Sequence, residues 1–549
     1  MRAGFGKVKS RIAGFPSAAR RGINPQLAAG DIMDTDVLIV GAGPTGLMLA
    51  NQLVRRGIAF EIIDRHSGPA QQTRAMAVHA RTLEIYAKLG IADEAVARGA
   101  IGTGANMWAG GRWRANIPIG DIGQGKSPFP FVLMLGQDEN ERILGARLND
   151  LGASVQWNTE LVALDQQADR VDVVLRQPDG SQRKLSAAWV AGCDGSRSAV
   201  REKNGIGFPG APYEHTFFVA DTEAVGSMRP DELNVYLSQD GFHLFFPMRG
   251  KDRWRVIGIL PPELRAKDDV TFDQVVPSIR EQAGTSLDFK SCLWFSTYRI
   301  YHRAAEKFRD RRCFVLGDAA HVHSPMGGQG MNTGLQDAYN LAWKLALVVA
   351  GRADAALLDT YAQERMPVAQ ELLRTTDSAF QLVVADTWLA RMLRTKIIFR
   401  IAALAMTFER VRKRAFRTLS QIGISYPGSA LSQTRGSLPG GAPKAGERFP
   451  WLHLRMQPDG PPEDLFQALD DTRFNLLVFG PAPGVALPDY GDLVRTHTIP
   501  LESNKAELDR VGITASSFYL LRPDGHVGLC GPHAELAGVE SYLGRWLRR

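Results

Sequence analysis

The stretch 34–57, DTDVLIVGAGPTGLMLANQLVRRG, decides how the rest of the chain is read. VLIV is a short, branched, apolar run that suits a buried parallel strand. Gly41-Ala42-Gly43-Pro44-Thr45-Gly46 follows as a tight turn, and Leu47, Ala50, Leu53 and Val54 recur at helical spacing. Gly57 closes the helix, and AFEIID (59–64) forms a second strand. The pattern predicts a βαβ unit opened by a GxGxxG turn. Glycines there let the backbone approach a pyrophosphate, and the helix N-terminus stabilises its charge. Asp64 closes the second strand, where an acid accepts hydrogen bonds from a ribose diol. The bland alternative is a Gly-rich turn with Asp64 as a solvating charge; the strand–turn–helix context speaks against it.

The surrounding chain is ordinary globular protein. It has 549 residues, 44% hydrophobic and 22% charged, enough for roughly three to four domains. Cys193, Cys292, Cys313 and Cys530 are too few and too scattered for a disulfide scaffold, and none forms a CxxC pair. A reducing, cytoplasmic location is expected. Six of the 65 Lys and Arg residues (Arg2, Lys7, Lys9, Arg11, Arg20, Arg21) lie in residues 1–30, which carry no acid; 59 basic residues then face 58 acidic ones. A neutral body makes nucleic acid an unsuitable partner. Residues 1–33 read as a basic extension with three explanations: a disordered tail, a transit peptide, or a start placed too early, with Met33 directly before the first strand. No apolar run reaches the length of a membrane span, and IIFRIAALAMTF (397–408) is interrupted by Arg400.

Further along, 138–151 reads as helix, 155–193 as alternating strands, and 208–300 as strand-rich. The text from about 106 to 134 is rich in Gly, Pro and Trp. RCFVLGDAAH (312–321) returns to a buried strand, and a long helix is expected from about Met331 to Val349. The expected organisation is a domain over 34–376 with β-rich insertions at about 106–134 and 208–300, a helical segment at 377–426, a Pro/Gly/Ser-rich linker at 427–450 and a last unit at 451–549.

A second chemical segment is GDAAHVHSPMGGQGMNTGLQDAYNLAWKLA (317–346). Gly317-Asp318 ends a strand, and a loop with Gly327, Gly328 and Gly330 opens a helix whose N-terminus suits a second electron-rich group. Asp318 is placed to bind a polyol. A third segment, Asp194-Gly195-Ser196-Arg197-Ser198-Ala199-Val200-Arg201, follows another strand. Together these resemble the FAD-binding motifs of the p-hydroxybenzoate hydroxylase family, the single-component flavin aromatic hydroxylases. The resemblance implies an α/β, Rossmann-like FAD domain carrying an inserted β-rich substrate domain. FAD would be gripped by Gly41, Gly43, Pro44, Thr45, Gly46, Asp64 and Arg65. Asp318 would bind the ribityl chain. Gly328, Gly330, Met331 and Asn332 would meet the N1/O2 edge of the flavin. Asp194 belongs to the motif linked to both FAD and NAD(P)H, Gln137 resembles a flavin-contacting glutamine, and Arg74 resembles an arginine near the pyrophosphate. Met76 and Ala77 would lie beside the isoalloxazine. The last unit resembles the thioredoxin-like C-terminal domain of larger relatives; without CxxC it has no dithiol chemistry, and packing or oligomerisation, with a homodimer as one option, is its expected role.

The activity implied is hydroxylation of a phenolic or other electron-rich ring, using NADH or NADPH and O2, through a flavin C4a-hydroperoxide. The cofactor carries the hard chemistry, and the protein orients the ring and excludes water. Pro325 resembles a proline at the flavin's reactive edge; a plain loop proline is the alternative. His321 and His323 lie in no carboxylate or cysteine cluster, so no metal site is expected. Tyr236 resembles a pocket tyrosine that assists phenolate formation. By period two, Leu244, Phe246 and Met248 share one face and His243 and Phe245 the other; the first set resembles the substrate-lining face, with core packing an equal alternative. Phe246 and Met248 stand where a benzoate hydroxylase uses polar groups, which favours a more apolar phenol. The alternative is a related FAD-dependent enzyme acting on a non-phenolic substrate such as an N-heteroaromatic, a polyketide or an antibiotic. A halogenase lacks support because WxWxIP is absent, a plain NAD-dependent dehydrogenase is opposed by Gly317-Asp318, and a non-catalytic FAD-binding protein is opposed by the intact motifs. Basic residues at 391–417 read as a solvated face, with membrane-surface binding as the sharper alternative.

Overall fold

The computed structural model describes residues 33–71, 75–118, 123–238, 241–265, 267, 269–284, 286–324, 326–384, 404–481 and 490–548. Arg74, Pro325, residues 1–32 and the basic positions Arg391, Arg394, Lys396 and Arg400 lie outside them.

Val37, Leu38 and Ile39 are fully buried, because their strand, Thr35–Val40, is covered on both faces. It runs parallel to Phe60–Ile63 on one side and to the end of Gln182–Gly192 on the other. Cys313–Val315 extends the parallel set beyond Gln182–Gly192. Continuous apolar runs are what such doubly covered strands require. The helix Pro44–Val54 packs on the long helix Gly330–Val349. The long helix is buried from Asn332 to Ala346, its polar positions included.

The β-rich insertions form one eight-stranded sheet. Gly104–Ala109 and Arg112–Pro118 join Leu233–Leu237, Phe242–Pro247, Arg253–Ile259, Gly210–Gly226, Leu287–Ala304 and the short His321–Val322. Val132–Met134 departs from that insertion and pairs instead with Ala77–Val78 and Ala100–Gly102. The helix Phe272–Ala283 covers the back of the large sheet with Phe272, Val275 and Ile279.

The helix Asp359–Val384 runs across the expected boundary at 376. The Pro/Gly/Ser-rich stretch 427–450 is laid down on its neighbours rather than free: Leu431 and Phe449 are buried, and Gln433–Thr434 pairs with Val527–Pro532. A five-stranded sheet, ordered Gln433–Thr434, Val527–Pro532, Ser517–Leu521, Phe474–Phe479, Val494–Ile499, builds the C-terminal domain. Its Phe474 meets Trp343 of the long helix edge to face at 5.7 Å.

Candidate active site

The first turn is shaped by backbone crowding. Gly41 has φ +102° and lies so close to the Cys193 carbonyl that a Cβ would overlap it. Only glycine meets both demands. A Cβ on Gly43, in contrast, would meet open space. Gly43 caps the helix without a side chain and Pro44 occupies its first turn, so no side chain competes for the helix N-terminus. Asp64 Oδ2 accepts the Ala42 N–H at 2.7 Å, and Oδ1 accepts the His66 N–H at 2.8 Å. Asp64 thus braces the turn. Arg65 is exposed beside it.

The second turn is locked to the first. Gly317 has φ +58°, and a Cβ there would stand 2.6 Å from Thr45 Oγ1. A Cβ on Gly334 would stand 2.5 Å from the same atom. Thr45 is therefore wedged between Gly317 and Gly334. Asp318 is exposed between buried Gly317 and Ala319. Gly327 and Gly328 both have positive φ, and Gly328 presses against Ala77. Gly330 opens the long helix, with Met331 half-buried behind it. The Asn332 side chain is turned inward. Its Nδ2 donates to Ala77 O (2.7 Å) and Gly328 O (2.9 Å), while Oδ1 accepts from His79 N (2.9 Å) and Thr82 Oγ1 (2.8 Å). This amide is saturated, so its side chain holds the glycine loop against Ala77 and His79 instead of reaching a ligand.

Asp194 Oδ2 accepts the Val200 N–H at 3.1 Å. Arg201, in the same motif, donates to Ala319 O at 3.0 Å and Ser196 O at 2.9 Å. It ties the third segment to the Asp318 turn, a role the motif match alone did not specify. Gln137 donates to Glu141 Oε1 at 2.9 Å, and Glu141 Oε2 accepts the Ala70 N–H at 2.7 Å. Burial raises the Glu141 pKa. The Gln137 N–H reaches Ala75 O at 3.1 Å, so this pair holds the ends of the segment that contains Arg74.

These features fit an anionic, polyol-bearing, flat cofactor. Asp194 Oδ1, His323 Nε2 and Ser324 Oγ are buried without a hydrogen-bond partner among the described residues, where native proteins rarely leave polar atoms unpaired. Burial lowers the pKa of His79 and of His323 to about 4, so both imidazoles are neutral beside the glycine loop. No group of three or more His, Cys, Asp or Glu side chains among the described residues is arranged to hold a metal ion.

The large sheet presents two faces. On the front, Phe246 and Met248 pack with Met76, Ala77, Val132 and Met134. Leu244 joins Phe217, Phe242, Val235, Met107 and Tyr298 on the same side. Phe246 lies opposite Arg255, which pairs in turn with Asp221 through two contacts of 2.6 and 2.7 Å. Tyr236 is on the back. It pairs with His243 across the hairpin, is 1% exposed, stacks on Trp108 at 5.3 Å and meets Phe245 edge-on. Period two places it under the helix Phe272–Ala283 and away from Phe246 and Met248. Tyr236 is therefore not a pocket tyrosine.

Comparison with known proteins defines the class. The family described as "FAD binding domain" matches residues 34–376, and the chain belongs to it. It is 36% identical over 515 residues to a 6-methylpretetramide 4-monooxygenase of Streptomyces rimosus, covering 90% of each chain. It is 33% identical over 467 residues to the pentachlorophenol 4-monooxygenase of Sphingobium chlorophenolicum, covering 83% of this chain and 81% of that one. Among solved structures, an anhydrotetracycline hydroxylase of Streptomyces rimosus superposes with a TM-score of 0.74 at 28% identity, covering 93% of this chain and 99% of the other. An aklavinone-11 hydroxylase bound to FAD and aklavinone gives 0.75 at 25% identity, covering 94% and 99%. The protein is an FAD-dependent aromatic monooxygenase that uses NAD(P)H and O2. No helix among the described residues is long and apolar enough to cross a membrane.

Proposed function

We propose that this monooxygenase hydroxylates an apolar, fused-ring phenol. The observation that carries the reading is the front face of the large sheet. Phe246 and Met248 pack with Met76, Ala77, Val132 and Met134 as one apolar cluster beside the Gly328 loop. Arg255, next in that row, is neutralised by Asp221 and does not offer a bare cation to a substrate carboxylate. The relative named a 6-methylpretetramide 4-monooxygenase supports a fused-ring substrate, and the one named a pentachlorophenol 4-monooxygenase supports an apolar phenol.

FAD held by this chain would supply the NAD(P)H-driven, oxygen-activating chemistry that hydroxylates the ring. The chain's residues do the rest. Gly41, Gly43, Pro44, Thr45 and Gly46 receive the pyrophosphate, while Asp64 and Arg65 serve the adenosine end. Asp318 would hold the ribityl hydroxyls, Asp194 belongs to the segment that serves FAD and NAD(P)H, and Gly328, Gly330, Met331 and the Asn332 backbone would receive the pyrimidine edge of the flavin. Gln137 keeps the neighbouring segment in place. Leu244, Phe246 and Met248 orient the substrate ring and exclude water, which limits loss of activated oxygen as peroxide.

The test measures NADH and NADPH oxidation in air by the FAD-loaded enzyme across monocyclic and fused-ring phenols, with peroxide and product quantified together. Strong stimulation by a fused-ring phenol with little peroxide supports the reading. Stimulation only by benzoates overturns it, as does stimulation only by non-aromatic compounds.

A further inference from the structure

Three of the nine large apolar side chains that stand exposed among the described residues lie within eight positions of one another: Leu404 (63%), Phe408 (61%) and Val411 (41%). Leu404 and Phe408 precede the helix Glu409–Leu419, ERVRKRAFRTL, and Val411 lies in its first turn; the helix carries five cations and one acid. Phe416 is its buried residue and packs with Ala80 and Ile422. Val411 lies five positions away, roughly 140° around the helix from Phe416, and so points outward. Arg414 is exposed about 60° from Val411, and Arg410 and Arg417 are exposed on the flanks of the helix. Arg412 is turned back to the Met406 and Thr407 carbonyls, and Lys413 pairs with Glu409.

The surroundings add charge of the same sign. Burial lowers the Lys126 pKa, and Lys413, Arg510, Arg417 and Arg448 lower it further by crowding. Cations from four chain segments thus gather around Lys126 beside this helix, with Arg448 paired to Glu84, Arg510 to Glu507 and Lys413 to Glu409. None of these residues belongs to the flavin or substrate site.

We infer that this face is a docking surface for an anionic lipid bilayer, on which the enzyme rests without spanning it. Outward apolar side chains at the start of a basic helix suit a bilayer surface: the apolar groups enter the acyl boundary and the guanidinium groups beside them meet lipid phosphates. A second copy of the chain would bring like charges face to face. Nucleic acid would satisfy the cations but leave Leu404, Phe408 and Val411 against a polar groove.

The experiment is flotation of the full-length, FAD-loaded protein with phosphatidylcholine vesicles, with and without about one-third phosphatidylglycerol. Association with the anionic vesicles should exceed that with the neutral ones by at least about tenfold and weaken with added salt. F408S/V411S should lower it by about tenfold while FAD content and NAD(P)H oxidation stay unchanged, and R414Q/R417Q should lower it similarly with a shallower salt dependence. Equal association with both vesicle types overturns the proposal. So does loss in the charge variant alone, with binding to DNA or polyglutamate as strong as to vesicles, because that is a plain polyanion contact. Full binding by both helix variants, abolished only when residues 1–32 are removed, also overturns it.

Discussion

Asp337 Oδ2 accepts the N–H of Gly317 at 3.0 Å, so a carboxylate on the long helix sets the position of the turn that carries Asp318. The same oxygen meets His321 Nε2 at 2.7 Å, and Oδ1 meets Arg365 Nε at 2.6 Å. Arg365 continues to Tyr426 Oη at 3.0 Å and Thr333 O at 3.1 Å. Burial works to raise the Asp337 pKa, but Arg365 and His321 outweigh it and hold the carboxyl below its usual range. Asp337→Asn keeps the shape and removes the charge. It leaves the Arg365 guanidinium buried without its counter-ion, which costs about 3–5 kcal/mol. The expected outcome is a lower melting temperature together with reduced FAD content after purification. Arg365→Met in the same chain should recover part of the melting temperature without restoring full FAD affinity, because the Gly317 contact stays weakened.

The C-terminal domain is joined to the FAD domain by a second buried cluster. Arg522 reaches Glu364 at 2.6 and 3.0 Å, and Lys344 reaches Glu364 at 2.8 Å. Burial would raise the Glu364 pKa, but Arg522 and Lys344 dominate and hold it at about 2. A carboxyl whose folded pKa is depressed contributes stability above its unfolded value, near 4.5, and loses that contribution as pH falls towards 2. Thermal stability should therefore hold from neutral pH to about 5 and fall steeply between about 4.5 and 2. Glu364→Gln should be less stable at pH 7 and show a flatter acid limb, read by melting temperature against pH.

Much of this was legible where the signal is local. The GxGxxG turn, Asp64, Gly317-Asp318 and the long helix are set by neighbouring residues, and the structure places them close to their expected bounds. The face shared by Leu244, Phe246 and Met248 followed from period two within one strand. Tyr236 was misread because its face depends on how its strand registers with the next one; carrying the parity across the hairpin to His243 would have placed it on the back. The saturation of Asn332 was invisible because its partners at Ala77, His79 and Thr82 are some 250 residues away. The same holds for Glu364 and Arg522, 158 positions apart: no local pattern announces a buried ion cluster. Pro and Gly in 427–450 correctly signalled turns, but composition does not say whether turns pack.

The Thr45–Gly317 wedge makes a coupled prediction. Gly317→Ala adds a Cβ at positive φ and drives it into Thr45 Oγ1. The conformational cost is about 1 kcal/mol, and the steric cost adds to it. Thr45→Ala should relieve the steric part only. A double-mutant cycle on melting temperature and FAD retention should show positive coupling of about 1 kcal/mol or more. Additive effects would mean that the two turns are not interlocked.

The two faces of the large sheet make opposite predictions for aromatic residues on adjacent strands. Tyr236 stacks on Trp108 and packs beneath the helix Phe272–Ala283. Tyr236→Phe keeps the ring and its stacking and removes only a hydroxyl on the side away from Met76 and Ala77. The expected result is a kcat within about twofold of wild type, an unchanged pH profile, and a stability change within about 1.5 kcal/mol. Phe246 packs at the edge of Met76 and Ala77 with Met248. Phe246→Ala opens that wall to water and loosens the ring it orients, so KM for the aromatic substrate should rise at least about tenfold. The same change should raise the share of NAD(P)H oxidation that ends as peroxide, since water then reaches the reacting oxygen. Steady-state kinetics with peroxide and product measured side by side distinguish the two. A large loss of kcat in Tyr236→Phe with an altered pH profile would return that hydroxyl to the reaction and reverse the assignment of the faces.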